Sequence, residues 1–563
     1  MHGVASAPTS AFTLPRRWRI AGLLTALALG AWCYAPALHA FFAQDDFAFL
    51  AFVRLLHEPW LLFVHNHFPD YAYFRPLGVL LWWFVAAAAA DAAWPQYALN
   101  LALHLGCVAA LYTLLQRLHR DAPLNAAWAA LYAVHPLAVG TALWLSDRFD
   151  LLAMLFSLLA LNAALAYVER PRTATLLGLL GALLLAFLGK ELGIVGAIAA
   201  FAAIALAPRA QPEAKRRATA LGAIVALTLA WLAYRHAMLS VPVGDGSVRL
   251  PALAAFATGS RNWLRAGAVY LFADPRAPRW TIVCVASATV LWIVAALQAR
   301  RAAPDSRPRL HVAAALLVLA LLPGLVQAPV AAKHLAAGIG ADGFFFNLIV
   351  PSRFFHLTLS GLVCLLAAIT AAPRARSASA LGLCALGIAL AVAALAPLSQ
   401  RIARDYADGT NRQAAAFASA EAALDRAALP AHACQVYFLH TASLWGFAGY
   451  SDAIAKGLAT DPERLAHCLV STEQPAWTYF VRRASVQTDD ARPLHPLAIA
   501  GTPFPTLTIG NVQALYFTMG EDMRTALPGD AIFLDYRDGA FVDVSAAVRS
   551  GELKPDFQIT KQN

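Results

Sequence analysis

The chain of 563 residues is 60% hydrophobic and 13% charged, with positive mean hydropathy, which excludes an ordinary soluble globule and places the protein in a bilayer. Its formal charge of +10 is not pooled in a patch suited to nucleic acid, because the basic residues fall in short clusters between apolar runs. That distribution marks membrane topology, so the lipid bilayer is the first partner and nucleic acid is excluded.

The opening PRRWRIAGLLTALALGAWCYAPALHA has the basic front, apolar run and small-residue ending of a secretory signal. The run is long for a signal and many apolar segments follow, so a retained first helix over 19–37 is expected. Next comes FFAQDDFAFL, in which Asp45 and Asp46 are flanked by aromatic residues. Further on, Arg75 to Ala90 (RPLGVLLWWFVAAAAA) is short for a span and carries Trp82 and Trp83 near its middle. Counted as a crossing, it would invert every later basic cluster, so an interfacial or re-entrant helix is expected in a long external loop from about Leu38 to Pro95.

The remaining spans are expected over 96–116, 124–145, 150–168, 173–189, 192–208, 218–238, 280–298, 310–327, 351–371 and 377–398. The basic clusters alternate with them: Arg16/Arg17/Arg19, Arg117/Arg120, Arg170/Arg172, Arg209 with Lys215/Arg216/Arg217, Arg300/Arg301 with Arg307/Arg309, and Arg374/Arg376. Placing all of them in the cytoplasm gives about eleven spans, the N-terminus inside and the C-terminus outside. From Gln400 the composition turns ordinary, with a helical pattern over Asn411 to Ala428 and β-type runs CQVYFLH, ALYFT and AIFLDY. The expected architecture is therefore an all-α polytopic membrane domain, 1–398, followed by a small soluble α/β domain, 399–563. Five of the seven cysteines fall in spans and read as packing residues. Cys434 and Cys468 lie in the soluble domain, where an oxidising periplasm would favour a disulfide. No tandem repeat is present.

On this topology the unusual polar clusters share the external side: Asp45 and Asp46, SDRFD (Ser146–Asp150), GKEL (Gly189–Leu192) and NLIVPSRFFH (Asn347–His356). Each has a bland reading. Loop acids are commonly just solvated, Ser146 or Asp147 could cap a helix, and a lysine at a span end can snorkel. Yet external loops are poor in Lys and Arg, so Arg75, Arg148, Lys190 and Arg353 run against the trend, and such cations suit a phosphate. Acids and isolated cations on one aqueous edge suit a substrate with a phosphate head and an apolar tail.

The order DD, YFRPL, N-x-x-x-H (Asn100, His104), HP (His135, Pro136), SDRFDLLA, GKE and PSRFF resembles the GT-C class of integral-membrane glycosyltransferases. It is similar to the branch containing the tetratricopeptide-repeat transmembrane O-mannosyltransferases and their bacterial relatives, over roughly Trp18 to Leu398. The resemblance implies a polyprenyl-phosphate-linked sugar donor, a catalytic acid in the first external loop and inversion at the anomeric carbon. Asp45 or Asp46 would be the general base, and Arg148, Lys190, Arg353 and Arg75 would hold the donor phosphate. Asp150, Glu191, His135, His104 and Asn100 would support them. The first-loop pair is Asp-Asp where the family often has Asp-Glu, which leaves open which acid is the base. Asp147 stands where relatives often have a small residue, and Asp150 is the position matching the family pattern.

Direct displacement at a sugar carbon needs a base near the nucleophile and positive charge near the leaving oxygen, and both residue types are present. No cofactor is required. A divalent cation at His65 and His67, completed by Asp45 or Asp46, is a minor alternative. Other readings are a lipid or saccharide transporter, an O-antigen ligase or another lipid-linked group transferase. A transporter would keep its polar sites near the midplane, and a phosphoethanolamine transferase would need a larger soluble domain. The expected protein is a bacterial inner-membrane transferase with a periplasmic C-terminal domain, and its acceptor is a protein, glycan or lipid hydroxyl.

Overall fold

The computed structural model describes residues 15–43, 46–65, 74–89, 92–118, 123–208, 214–239, 253–270, 277–302, 310–328, 348–370, 378–427, 434–441, 444, 468–472, 478–483, 507–509, 512–517 and 531–553. Asp45, His67 and Asn347 lie outside them, as do the basic residues Arg120, Arg209, Arg307, Arg309, Arg374 and Arg376.

Each expected span coincides with helix, 124–145 over its first half only: α1 (Arg16–Tyr34), α4 (Trp94–Leu118), α5 (Pro123–Val134), α7 (Arg148–Glu169), α8 (Thr173–Gly189), α9 (Gly193–Ala205), α10 (Ala214–Leu239), α12 (Arg279–Ala302), α13 (Leu310–Val326), α14 (Val350–Thr370) and α15 (Ala378–Arg426). Two short helices occupy the first loop, α2 (Asp46–Leu55) and α3 (Pro76–Ala89). Among the described residues seven helices are long and apolar enough to cross a membrane. The protein is thus an all-α multi-pass membrane protein with a small C-terminal β-containing region. At 14 residues, α3 is short for the roughly 20 that cross a bilayer. It buries Trp82, which stacks on Phe49 with ring centroids 5.7 Å apart.

Two departures matter. Residues 124–145 are not one helix. Pro136 has no N–H to continue the ladder and forces the residue before it out of helical geometry, so His135 is extended (φ −71°, ψ 133°) and α5 stops at Val134. The chain then makes a short 3-10 turn at Pro136–Ala138, the single turn α6 (Val139–Ala142) and another 3-10 turn at Leu145–Asp147 before α7 begins. His135, Thr141, Ser146 and Asp147 thereby fall in the irregular stretch between α5 and α7. The second departure is α11 (Leu253–Tyr270), inside what reads in the sequence as loop; its Trp263 donates to the Phe354 carbonyl on α14 at 3.3 Å.

α15 does not stop at the expected domain boundary. It continues through 398 to Arg426 as one 49-residue helix, and its far end carries Phe417, Ala420 and Leu424 into the same apolar cluster as Phe438, Leu534 and Phe541. Those last three belong to a four-stranded sheet of order β2-β1-β6-β7, made from β1 (Cys434–Leu439), β2 (Cys468–Thr472), β6 (Ile532–Arg537) and β7 (Ala540–Asp543). β1 runs parallel to β2 and β6, and β7 returns antiparallel through Asp538-Gly539, both at positive φ as a tight hairpin turn requires. Strands β3 (Thr478–Arg483), β4 (Leu507–Ile509) and β5 (Val512–Phe517) form a separate antiparallel sheet. A short helix, α16 (Ser545–Arg549), follows β7. Cys434 and Cys468 are register partners on β1 and β2.

Candidate active site

The site is built around the Trp144–Asp150 turn that the break after α5 creates. Asp46, at the start of α2, is fully buried, and its carboxylate is saturated by local donors. Oδ2 accepts from the Ala43 N–H at 2.9 Å, and Oδ1 accepts from the Ser146 N–H at 2.9 Å and the Ser146 hydroxyl at 2.6 Å. Asp46 therefore ties the first loop to the α6–α7 turn. The Ser146 contribution is the part the sequence hides, since the serine that opens SDRFD reads first as a helix cap.

The cations meet the same turn. Lys190, at the end of α8, is paired with Asp150 on the first turn of α7. Arg353, on the first turn of α14, reaches Asp147 with Nη1 3.4 Å from Oδ1 and lies over the Trp144 ring at 4.9 Å. Arg75, just before α3, grips Glu191 through two contacts, Nη2 to Oε1 at 2.6 Å and Nε to Oε2 at 3.1 Å, and lies over the Phe149 ring at 5.4 Å. Asp147, which the family pattern leaves aside, is thus the partner of Arg353 in the cluster. Two of its buried oxygen positions have no hydrogen-bond donor among the described residues: Asp147 Oδ2 and Asp150 Oδ1. Lys190 and Arg353 keep 13% and 16% of their side-chain surface open.

Arg148 is different. It is entirely buried, donating from Nε to Asn100 Oδ1 at 3.0 Å, from Nη1 to Gln96 Oε1 at 2.8 Å and from Nη2 to the Gln96 carbonyl at 3.3 Å, with its guanidinium 4.8 Å from the Trp82 ring. Its hydrogen bonds run into the bundle and not toward Lys190 and Arg353. Gln96 was legible in principle: it precedes Asn100 and His104 by four and eight residues, one face of α4.

His104 and His356 lie deeper. His104 Nε2 meets the Ala133 carbonyl at 3.1 Å, His356 Nδ1 meets the Thr141 hydroxyl at 2.6 Å, and the two rings pack 5.6 Å apart against Tyr132. His135 accepts from the Leu137 N–H through Nδ1 at 3.2 Å and caps the turn that follows. Together they brace the break without entering the cation cluster. His65 is exposed on the first loop. Among the described residues no group of three or more His, Cys, Asp or Glu could hold a metal ion.

Burial alone would lift the carboxyl of Glu191, but Arg75 beside it, helped by Lys190 and a backbone hydrogen bond, holds it below the ordinary carboxylate range. By formal charge, Asp147, Asp150 and Glu191 match Arg75, Lys190 and Arg353. An arriving anion would have to exchange with the carboxylates.

No family model and no curated protein matches the chain. Among solved structures, ArnT from Cupriavidus metallidurans bound to undecaprenyl phosphate aligns over 92% of this chain and 100% of its own, at 12% identity and a TM-score of 0.38. The apo form of the same protein aligns over 91% and 99%, at 15% identity and a TM-score of 0.31. Neither likeness, at these scores, says what this chain does.

Proposed function

We propose that the protein is a GT-C-type membrane glycosyltransferase that moves a sugar from a polyprenyl-phosphate donor to an acceptor hydroxyl on the periplasmic face of a bacterial inner membrane. The observation that carries this is the meeting of Lys190, Arg353 and Arg75 with the loop anchored by Asp46 around one turn, Trp144–Asp150, at one end of the helical bundle. Asp45 is the general base. Its neighbour Asp46 has its carboxylate committed to three donors and acts as the anchor that positions it.

In the reaction the acceptor oxygen attacks the anomeric carbon and passes its proton to the Asp45 carboxylate. The bond from that carbon to the phosphate oxygen breaks with its electron pair leaving on oxygen, and the configuration inverts. Lys190 and Arg353 receive the growing phosphate charge, letting go of Asp150 and Asp147 as they do so. Arg75 stays clamped to Glu191 and shapes the wall. Arg148 is too deeply engaged to touch the phosphate and holds the α4–α7 contact behind the site.

The test is binding of polyprenyl phosphate itself, which does not depend on knowing the sugar. Titration of the purified full-length protein should give saturable binding that weakens about tenfold or more in Lys190→Gln and in Arg353→Gln, the loss of a charge-assisted contact. Binding unchanged in both variants would remove the phosphate from this wall. Movement of a lipid-linked sugar across vesicles with no covalent product would favour a transporter.

A further inference from the structure

A second feature lies at the same end of the bundle, on the opposite side of the first loop. α1 ends at Tyr34 and a 3-10 turn, Ala35–His39, follows; alongside it α15 passes from its apolar portion into its charged extension. The two are locked together there, Cys33 Sγ lying 3.5 Å from the Ala396 carbonyl and Asn411 Nδ2 donating to the His39 carbonyl at 3.0 Å. Between them is a groove of about 450 Å³ lined by Trp32, Pro36, His39, Arg404, Asp408 and Asn411, among others.

Its walls differ in chemistry. Trp32, Ala35 and Pro36 form an apolar side, with Trp32 47% exposed beside the end of a membrane helix, the depth at which tryptophan settles among headgroups. The α15 side presents Gln400, Arg404, Asp408 and Asn411 along one helical stripe. Arg404 and Asp408 are one turn apart, yet they form no ion pair with each other among the described residues; Arg404 Nη2 donates to Gln400 Oε1 at 3.0 Å. Opposite charges about 6 Å apart along the helix axis are therefore both presented to the groove.

Their order is informative. Arg404 is nearer the apolar portion of α15, and Asp408 is a turn further out. In a phospholipid with an amine headgroup the phosphate is nearer the acyl chains and the ammonium lies beyond it. We infer that this groove holds the zwitterionic headgroup of a phosphatidylethanolamine-type lipid, its phosphate on Arg404, its ammonium on Asp408 and its glycerol end against Trp32 and Pro36. The site also adjoins the loop that carries Asp46, since the Phe41 N–H donates to the Thr410 hydroxyl at 3.0 Å and Gln413 Nε2 to the Phe42 carbonyl at 2.9 Å. A bound lipid would thus steady the stretch of chain that precedes Asp45.

Native mass spectrometry of the full-length protein in detergent, titrated with phosphatidylethanolamine or phosphatidylglycerol, tests this without reference to catalysis. The expected result is retention of phosphatidylethanolamine about tenfold over phosphatidylglycerol, and a similar loss in Arg404→Gln and in Asp408→Asn. The exchange Arg404→Asp with Asp408→Arg keeps the net charge but inverts the order, and should bind as poorly as the single variants. Equal retention of the two lipids, unchanged binding in Asp408→Asn, or full binding by the exchanged pair would overturn the assignment. Soluble glycerophosphoethanolamine binding as tightly as the lipid would overturn it too, by making the ligand a water-soluble one.

Discussion

Asp46 is held by two neighbours, Ser146 across the bundle and Ala43 in its own loop. Asp46 accepts two hydrogen bonds from Ser146 and one from Ala43, so Asp46→Asn puts an amide against N–H donors it cannot satisfy. Thermal unfolding should show a loss of about 1–3 kcal/mol, whereas Asp45→Asn should leave the melting temperature in place. The Lys190–Asp150 pair is nearly as buried, with 13% and 5% of the side chains open. Lys190→Gln alone strands a carboxylate and should cost about 3–5 kcal/mol. Adding Asp150→Asn should restore most of the stability while leaving polyprenyl-phosphate binding impaired. Recovery of binding along with stability would show that the lysine serves the fold alone. For Glu191 the sign is set by its depressed carboxyl. The stability it draws from Arg75 is fully present above the ordinary carboxylate value and is lost as pH falls through the lower, folded value. The melting advantage of the natural chain over Glu191→Gln should stay constant from neutral pH down to about pH 5 and shrink below it. An advantage that persists unchanged at lower pH would mean that Arg75 does not hold the ionised form.

Between elements, closeness is set by small residues. A β-carbon on Gly140 would fall against the Ile349 carbonyl, 2.5 Å from Ser352 Oγ and 2.8 Å from the Arg353 amide, so α6 and the start of α14 meet only because Gly140 has no side chain. Gly140→Ala should push away the turn that carries Arg353. The expected outcome is a loss of about 1–3 kcal/mol in unfolding together with weaker polyprenyl-phosphate binding, and a variant as tight and stable as the parent would contradict it. The same region shows how far sequence reaches. Apolar runs and basic clusters were enough to find the eleven helices, and the short Trp-bearing α3 stood out by its length. The Pro136 break was harder: His-Pro was visible, but an unbroken apolar stretch over 124–145 outweighed it. The partners of the site acids were legible only in part, since pairings such as Lys190 with Asp150, 40 residues apart, or Arg353 with Asp147, 206 apart, follow from helix packing and not from spacing. α11 was missed because its polar and apolar residues mix too evenly to register as a span.

For the whole molecule, the bundle and the C-terminal sheet are joined by one continuous helix, α15, which carries the apolar cluster from the membrane to β1, β6 and β7. The same helix supports the C-terminal region, where the Phe541 N–H donates to Ser419 Oγ at 2.9 Å. If the basic clusters face the cytoplasm, a cysteine at His65 should react with an impermeant maleimide added to intact spheroplasts, and one at Arg170 only after lysis. The reverse pattern would turn the site toward the cytoplasm. Transfer of sugar from a lipid phosphate by the acid and cations at this rim is measured by product formation by the purified full-length protein given a panel of radiolabelled polyprenyl-phosphate sugars and membrane extract as acceptor. The expected product has inverted anomeric configuration and is lost by a factor of about 10²–10⁴ in Asp45→Asn and reduced in Lys190→Gln. Retained configuration, or full transfer by Asp45→Asn, would contradict it.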